Sequence, residues 1–446
     1  MKGATETPQH TASTLVELVE RGGAAIEGDA PSWLRDARAM AIERAAAIGL
    51  PAKTDEEWRY TDPKPLLEGQ FSLPRPGAHE GDDPCEHMEI ESAARIVFID
   101  GRLAPEHCRL SGLPSGVEVS LVGTGEEADV EERLAPIVAQ GIGGARDGLE
   151  ALGAGLITGG VFVRVDAGVT LEKPIVVVFR AEDGSPVLSA PHITLIVGEG
   201  ARASVIEDHQ GSAGATGLTL GRSEVRVAKG AHAEHAMLQR ESPGRHHVST
   251  LRLIQDAESH FHSDRVLLGG AVTRNNIHAT LQGESCEAVF NGLYTPEERQ
   301  HHDSHIRVEH MAPGCNSRQY YRGILADRSR AVFTGRIYVK DVAQQTDAIQ
   351  SNSNLLLSDA AHAVAKPQLE IYADDVRCTH GATSGQLDAD AAFYLRARGV
   401  PERVAKLLLL QAFAGENIDR IENEALRTTV HALADDRLGA ALERNT

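Results

Sequence analysis

Apolar and polar residues alternate with two different periods along this chain of 446 residues. Between Ser13 and Pro51 the apolar residues recur every three to four positions, which is the spacing of one face of an α-helix. From Ala94 onward the period is mainly two, as in half-buried β-strands, and a short helical insert over Glu131 to Ala151 interrupts it. After Asp388 the helical period returns. The pattern predicts a mainly β core between helical terminal regions.

Turn glycines recur at a regular spacing within the strand-rich part. Gly168, Gly200 and Gly230 each separate two strand-like runs, and they lie 32 and 30 residues apart. Less regular turns at Ala257-Glu258 and Gly283-Glu284 continue at a spacing of about 27. A repeat of this length, with no helix between the strands, is typical of a solenoid whose turns bury their apolar faces against each other. We therefore predict a β-helix-like solenoid core.

The changes of pattern divide the chain into three predicted regions. Residues 1–91 form an N-terminal helical region with a linker, residues 92–387 the β-helix-like core, and residues 388–446 a C-terminal helical domain. The linker is assigned to Glu68 to Glu91 because this stretch is rich in proline, glycine and acidic residues. It also contains His79, Cys85 and His87. A metal site there is only weakly indicated, since a loop provides no rigid geometry.

Charge and cysteine content exclude several classes of partner. The formal net charge of −20 would repel nucleic acid and anionic membrane surfaces. No apolar run approaches the roughly 18 residues of a membrane-spanning helix, and the N-terminus does not resemble a signal peptide. The five cysteines are scattered and form no C-x-x-C pair, which is typical of a reducing compartment. We expect a cytoplasmic protein that binds neither nucleic acid nor membranes.

Motifs of common enzymes are missing from the sequence. It contains no G-x-x-x-x-G-K-[ST], no G-x-S-x-G and no H-E-x-x-H. A carbohydrate-active β-helix enzyme, an alternative for this fold, would need paired acidic residues in a groove. Asp374 and Asp375 are adjacent, so in a strand they would point to opposite faces. The sequence therefore predicts a protein that is not an enzyme.

The stretch from Pro367 to Asp388 holds the strongest candidates for metal chemistry. Cys378 and His380 lie two residues apart in a strand-like run, so both side chains would point to one face. A thiolate beside an imidazole could hold iron, zinc or a sulfur species. The alternative is that Cys378 packs in the core and His380 hydrogen-bonds the following turn. Spacing alone favours this second interpretation.

A second candidate is the histidine-rich tract Gln300 to Cys315. In a strand His301, Asp303 and His305 share one face with Arg307 and Glu309, and two imidazoles with a carboxylate could bind a divalent metal. Arg307 in the same row argues against a metal, and the alternative is a ladder of polar side chains. The polar run AQQTDAIQSNSN, Ala343 to Asn354, is predicted to form stacked turns.

The C-terminal region predicts three helices. Asp388 is a suitable N-cap for a helix over Ala389 to Arg398, which Gly399 would end, and Pro401 would open the next helix. That helix contains Leu407 to Leu410 in succession and is too apolar for a lone surface helix. Either it packs against a final helix over Ile418 to Leu442, or part of its face awaits a partner.

Several of these stretches resemble one known family. YADDVRCTHGATSGQLDADAAFYLRARGVP, Tyr372 to Pro401, is similar to the SufD branch of the SufB/SufD family of iron–sulfur cluster assembly proteins. Three other landmarks agree in family order: KTDEEWRYTD (Lys53 to Asp62), FTGRIYVKDVAQQTDAIQSNSNLLLSD (Phe333 to Asp359) and LLLLQAFAGE (Leu407 to Glu416). The form GATSGQLD after His380 resembles SufD more than SufB.

The resemblance implies a fold, a role and partners. The family fold is a right-handed β-helix-like core flanked by helical domains. The implied role is that of a non-catalytic scaffold subunit in a cytosolic iron–sulfur cluster assembly complex. A SufB-like subunit would pair with the last turns of the solenoid, and the C-terminal helices would dock a SufC-like ABC ATPase.

In this interpretation His380 and Cys378 lie near the subunit interface, with His380 the better candidate ligand because a neutral imidazole can bind iron directly. We expect no tightly bound cofactor, only transient iron or an iron–sulfur cluster, and a homodimer is an option for the isolated chain. The alternative within the family is a SufB-like subunit that accepts sulfur on the thiol of Cys378.

Overall fold

The computed structural model describes residues 15, 17–19, 31–74, 88, 90–110, 112–122 and 130–444. His79, Cys85 and His87, the weak metal candidates of the linker, lie outside the described residues. At the N-terminal side, Leu15 and residues 17–19 are helical. They are followed by helix α1 (Ser32–Ile48), a 3₁₀ turn (Glu56–Trp58) and the short helix α2 (Lys64–Leu67).

The core is a β-solenoid, as the strand period and the repeat predict. Its strands are β1 (Ala94–Ile99), β2 (Arg102–Leu103), β3 (Val117–Val122), β4 (Gly159–Val165), β5 (Ile175–Ala181), β6 (Val187–Ser189), β7 (Pro191–Val197), β8 (Arg202–Gly211), β9 (Gly217–Val227), β10 (His232–Arg240), β11 (Arg245–Gln255), β12 (His260–Leu267), β13 (Val272–Leu281), β14 (Glu287–Tyr294), β15 (His301–His310), β16 (Asn316–Leu325), β17 (Arg330–Val339), β18 (Thr346–Leu356), β19 (His362–Ile371) and β20 (Val376–Gly385).

From β7 onward, successive strands alternate between two sheets. The first has the order β2-β1-β5-β8-β10-β12-β14-β16-β18-β20, and the second β19-β17-β15-β13-β11-β9-β7-β4-β3, with β6 beside β9. Neighbouring strands are parallel except for β2 on β1 and β3 on β4, which are antiparallel. Gly217 pairs with Arg245, and Arg330 with His362, so one turn takes about 30 residues, as the sequence repeat predicts.

The predicted turns lie between these strands. Gly168, Gly200 and Gly230 have φ of 71°, 64° and 64°, the left-handed conformation that glycine adopts without strain. Glu258 takes the same conformation at φ 59°, although it has a side chain. Between the turns, apolar side chains of both sheets meet in one interior cluster that runs from Ala94 to Ala361. Burial of this continuous interior is the main stabilising term of the fold.

The predicted helical insert is present but divided. Helix α3 (Glu131–Gly143) ends before Asp147, whose side chain accepts a hydrogen bond from the backbone N–H of Glu150 and so caps helix α4 (Gly148–Leu156). These helices and α1 pack on the outer face of the second sheet, where Leu152 of α4 shares a buried cluster with Leu218 and Leu220 of β9. A Cβ at Gly155 would lie only 2.3 Å from the Cβ of Ala41, so the close approach of α4 to α1 requires glycine there.

The prediction of stacked turns over Ala343 to Asn354 is wrong. Most of this run belongs to strand β18, and Asn352 and Asn354 point into the solenoid. The Nδ2 of Asn352 donates to the hydroxyl of Tyr294 at 2.8 Å, and that hydroxyl donates to Oδ1 of Asn354 at 2.7 Å. These three polar side chains satisfy one another inside the solenoid, so this part of the strand needs no apolar alternation.

Three helices follow the last strand, as predicted: α5 (Ala389–Ala397), α6 (Glu402–Ile418) and α7 (Glu424–Arg444). Asp388 caps α5 through the N–H groups of Asp390 and Ala391, and Gly399 has φ 85°. The last helix begins later than predicted because Asn423 accepts from the N–H of Leu426 and starts it there.

Helices α6 and α7 pack on the outer face of the first sheet and on each other, in a shared apolar cluster that includes Leu410, Ile418 and Val430. Asn417 fixes this contact, since its side chain donates to the carbonyls of Gly292 and Tyr320, at 2.8 Å each. Of the helices in the described ranges, none is both long and apolar enough to cross a membrane.

Candidate functional site

The solenoid ends in two strands that each have a neighbour on one side only. β20 is the last strand of the first sheet and β19 the last strand of the second. We call this end, formed by β19 and β20, the open end. Most side chains of β20 are exposed, whereas those of its neighbour β18 alternate between buried and half-buried. Unpaired backbone N–H and C=O groups along such an edge can pair with a further strand.

Cys378 and His380 both lie on β20 at the open end. Their register partners on β18 are Ala348 and Gln350, whose side chains are buried inside the solenoid. The two candidate residues therefore continue interior rows of side chains, and they are accessible because no further turn in the described part of the chain covers them. Cys378 is half-buried, and His380 is exposed. The structure thus places them on one face of one strand, while their role as metal ligands stays a prediction.

The thiol of Cys378 packs against the last apolar cluster of the solenoid, which includes Ala348 and Val339. Burial there raises the pKa of the Cys378 thiol above its ordinary value, and the carboxylate of Asp347 adds to the rise. A neutral thiol is a poor nucleophile and a poor metal ligand. Of the two side chains, the exposed imidazole is the better ligand in the isolated chain.

Exposed aromatic and apolar side chains lie at and beside the open end. Ile371 ends β19, Tyr372 follows it, and both are exposed; the ring centroid of Tyr372 lies 5.6 Å from that of Tyr338. The adjoining helices α5 and α6 add Phe393, 68% exposed, and Leu408, 45% exposed. Such side chains on neighbouring elements are typical of a surface that another protein covers.

The histidine-rich tract does not form an exposed polar ladder. It is strand β15, and the face with His301, Asp303 and His305 is covered by the segment Glu56 to Thr61. The hydroxyl of Thr61 donates to Asp303 and lies 2.7 Å from Nε2 of His301. The Nδ1 of His305 lies 3.1 Å from the carboxylate of Glu57.

Charges on this face are paired with one another. The guanidinium of Arg274 lies 2.6 Å from Asp303 and stacks on Trp58 at 4.0 Å from the ring centroid. A hydrogen bond from His305 lowers the pKa of Glu57 to about 2, against the effect of burial. The tract thus holds the N-terminal segment in place, and Trp58 is buried against the body of the protein.

Sequence reasoning missed a cluster of ionisable side chains inside the solenoid. His209, Glu241 and His247 are all buried, and Glu207 contacts His209. Burial lowers the pKa of His247, so its ring is neutral. Burial alone would raise the pKa of Glu241, but the imidazole of His247 and the charge of Arg245 outweigh it and lower that pKa. The available signal was the presence of charged residues within otherwise apolar strands of the core.

Comparison with known proteins adds independent findings. Residues 179–413 match the family model described as SUF system FeS cluster assembly, SufBD core domain, and residues 9–177 match that of the SufBD protein N-terminal region. The chain is 34% identical to the iron-sulfur cluster assembly protein SufD of Escherichia coli (strain K12), over 89% of this chain and 91% of that protein. It is 32% identical to a SufBD family protein of Synechocystis, over 91% of each chain. Protein ABCI7, chloroplastic, of Arabidopsis thaliana is 29% identical, over 88% of this chain and 84% of the relative.

Proposed function

Because the chain belongs to the SufBD family of iron–sulfur cluster assembly proteins, we propose that it is a SufD-like, non-catalytic scaffold subunit of a cytoplasmic assembly complex. The observation that supports this role best is the open end, where two parallel sheets stop without a cap and present Cys378 and His380. A scaffold needs such a surface, because the cluster must be built where two proteins meet.

The first partner is a SufB-like subunit bound at the open end. Its own edge strands would pair with β19 and β20 and so satisfy the backbone groups exposed there. Ile371 and Tyr372 would supply apolar contact area beside the strands. In this arrangement the interior row that runs through Gln350 and His380 would face the partner's interior directly.

The second partner is a SufC-like ABC ATPase docked on helices α5 and α6. The apolar side chains that these helices leave exposed are Phe393, Tyr394, Val404 and Leu408. On another side of α6, Leu410 and Ala414 are buried against the rest of the protein. The helix is therefore held by one face and free to bind a partner by the other.

Within the complex, His380 would bind iron or the nascent cluster transiently, as substrate of the assembly reaction. Cys378 would mainly pack, since burial keeps its thiol neutral. The SufB-like alternative, in which this thiol accepts sulfur, requires a thiolate and is therefore less well supported. The carbohydrate-enzyme alternative has no support from Asp374 and Asp375, which are exposed neighbours in the turn before β20.

Affinity capture from a native lysate tests the proposal. The tagged full chain is expected to recover a second solenoid subunit of the same family together with an ATPase, in fixed ratio. Recovery of neither protein would contradict the scaffold role. Mass spectrometry of Cys378 in the captured complex distinguishes the family alternatives: a persulfide on this thiol would favour the SufB-like function.

A further inference from the structure

Three buried side chains from different parts of the solenoid meet in its interior. His209 lies on β8, His247 on β11, and Glu241 in the turn between β10 and β11. One ring nitrogen of each histidine and one carboxylate oxygen of Glu241 all lie within 4.8 Å of one another. Among the described residues this is the one group of three or more such side chains. The two imidazole rings meet edge to face, with centroids 4.8 Å apart.

Each imidazole is held by a carboxylate through one nitrogen. Nε2 of His209 lies 3.0 Å from Glu207, and Nδ1 of His247 lies 2.7 Å from Glu241. Because a carboxylate only accepts, a neutral ring has its proton on the held nitrogen and a lone pair on the other. Those other nitrogens, Nδ1 of His209 and Nε2 of His247, are buried and have no hydrogen-bond partner. A carboxylate that orients an imidazole in this way is common around metal sites.

A single unpartnered imidazole nitrogen does not make a metal site. The buried rings of His192, His302 and His310 each leave Nδ1 without a partner too. What distinguishes His209 is that a second imidazole and a carboxylate lie within reach of it. The convergence of three donors of the kinds that metals prefer carries the inference, together with the two free lone pairs.

A narrow cavity leads towards this cluster. Its volume is about 10 Å³, close to the space of one water molecule. The half-exposed residues Gly101, Arg180 and Ser189 line it, and so do the buried Glu241 and Arg245. The cavity therefore reaches from near the surface to one of the three ligand residues. Entry of an ion would require side-chain movement, since the cavity holds only about one water molecule.

We propose that His209, Glu241 and His247 bind a divalent transition-metal ion of borderline softness, such as Zn²⁺ or Fe²⁺. Imidazole and carboxylate together suit these ions, whereas Ca²⁺ and Mg²⁺ prefer oxygen ligands alone. In a tetrahedral site with metal–ligand bonds of about 2.0–2.1 Å the ligand atoms are roughly 3.4 Å apart. The ion would thus draw the side chains together. Oε2 of Glu241 would keep its hydrogen bond with His247, and Oε1 would bind the ion in place of its hydrogen bonds with Thr219 and Arg245. Glu207 acts as a positioning residue for His209.

The site can be tested on the untagged full chain, independently of any partner. The protein is stripped with a chelator, and Zn²⁺, Fe²⁺ and Co²⁺ are added in separate samples. We expect one ion per chain by elemental analysis after desalting, and visible absorption bands of tetrahedral Co²⁺. Because the site is buried, a parallel sample is unfolded and refolded with the metal present, and uptake in either sample supports the site.

The variants keep the hydrogen bonds and remove the ligands. In His209→Gln the amide can still donate to Glu207 from the position of Nε2, and in His247→Asn it can donate to Glu241 from that of Nδ1. The double variant should lose the Co²⁺ bands. Glu207→Gln should weaken binding by about 10–100-fold. His310→Gln is the matched control, because His310 is buried, bonds Ser317 through Nε2 and leaves Nδ1 free.

X-ray absorption at the cobalt edge of the wild-type sample gives a result that does not depend on folding of the variants. Imidazole scattering with a light oxygen or nitrogen shell is expected, whereas a sulfur ligand would place the ion at a cysteine and overturn the proposal. Wild-type chain that takes up no metal, native or refolded, overturns it as well. So does a double variant that binds Co²⁺ as the wild type does, since the ion is then adventitious.

Discussion

Gln350 and His380 are register partners on neighbouring strands, yet the side chain of Gln350 is buried and that of His380 is exposed. The two occupy equivalent positions in successive turns. The difference arises because a further turn, β20, follows Gln350 and none follows His380. His380 therefore occupies an interior position that is exposed in the isolated chain. In the proposed complex the partner subunit would cover it.

The first prediction concerns this position. His380→Ala should leave the three-subunit complex assembled and lower the rate of cluster formation by about tenfold or more, because a metal ligand is lost. Cys378→Ser should stay near the wild-type rate if the thiol only packs. Thr379→Ala is the control, because its side chain points to the other face of β20. Cluster formation is measured by absorbance on the purified complex, and a fully active His380→Ala complex would contradict the prediction.

The second prediction concerns the exposed apolar side chains of α5 and α6. Phe393→Asp or Leu408→Asp should weaken binding of the ATPase by about 1–2 kcal/mol, or roughly 5–30-fold, because a charge replaces apolar contact area. Val342→Asp is the control, since Val342 is 53% exposed in the turn between β17 and β18. Affinities are measured by titration calorimetry. Equal binding by all three variants would remove these helices from the interface.

The third prediction concerns Trp58, which is 2% exposed and stacks on Arg274. Trp58→Ala should lower the free energy of unfolding by about 3–5 kcal/mol, since a large buried side chain and its cation–π contact are lost. Tyr60→Ala should change it by less than about 0.5 kcal/mol, because Tyr60 is 41% exposed. Urea unfolding gives both values. Faster proteolysis of the segment Lys53 to Asp62 in the first variant alone would locate the loosened contact.

The fourth prediction concerns pH and the turn between α6 and α7. His262 on β12 lies 3.1 Å from Asp264 and 3.3 Å from Glu422 in that turn. Burial favours the neutral ring, but the hydrogen bonds to both carboxylates prevail and raise the pKa of His262 to about 10. Burial, together with the facing Glu422, raises the pKa of Glu234 to about 7. Arg202 also faces this group of charges.

Both shifts act in the same direction. The contribution of His262 to the free energy of unfolding is complete below the pKa of the unfolded chain, near 6.5, and is lost as the pH rises towards 10. Ionisation of Glu234 costs stability as the pH rises from 4.5 to about 7. The melting temperature should therefore fall above pH 6, and His262→Gln should flatten this fall. We expect the variant to be less stable by about 1–3 kcal/mol at pH 6 and equal to the wild type near pH 10.

His431→Gln provides the control for the pH series. His431 forms a similar pair with Asp419 at 3.0 Å, but both side chains are exposed and the pair is screened by solvent. This variant should follow the wild-type curve. If the melting temperature of His262→Gln is lower than that of the wild type by the same amount at every pH, the ring contributes packing alone.

The solenoid could be predicted from the sequence because its turns have a local signature. Gly200 and Gly230 mark left-handed positions by themselves, and their spacing sets the length of one turn. Asp388 and Gly399 likewise mark the ends of α5 through hydrogen bonds and backbone angles of nearby residues. Such signals need no knowledge of distant parts of the chain.

What could not be predicted depends on partners far apart in sequence. Considered with its sequence neighbours alone, Asn352 is typical of a turn. In the structure it lies inside the solenoid and donates to the hydroxyl of Tyr294, 58 positions earlier in the chain. The same holds for His209 and His247, which meet only because their strands lie in facing sheets. Alternation along a strand distinguishes its two faces, but it cannot tell which face is interior when both are polar.

The two ends of the solenoid are unequal, and this limits how many chains can join. At the N-terminal end the sheets stop at the two-residue strand β2 and at β3, both of which run against their neighbours. Neither strand presents the parallel edge with which the open end of another molecule could continue its hydrogen-bond ladder. We therefore expect open ends to join with each other, so that assembly closes at a pair of solenoids and does not propagate into a fibre. Concentrated solutions of the isolated chain should show dimers in sedimentation, without a series of larger species.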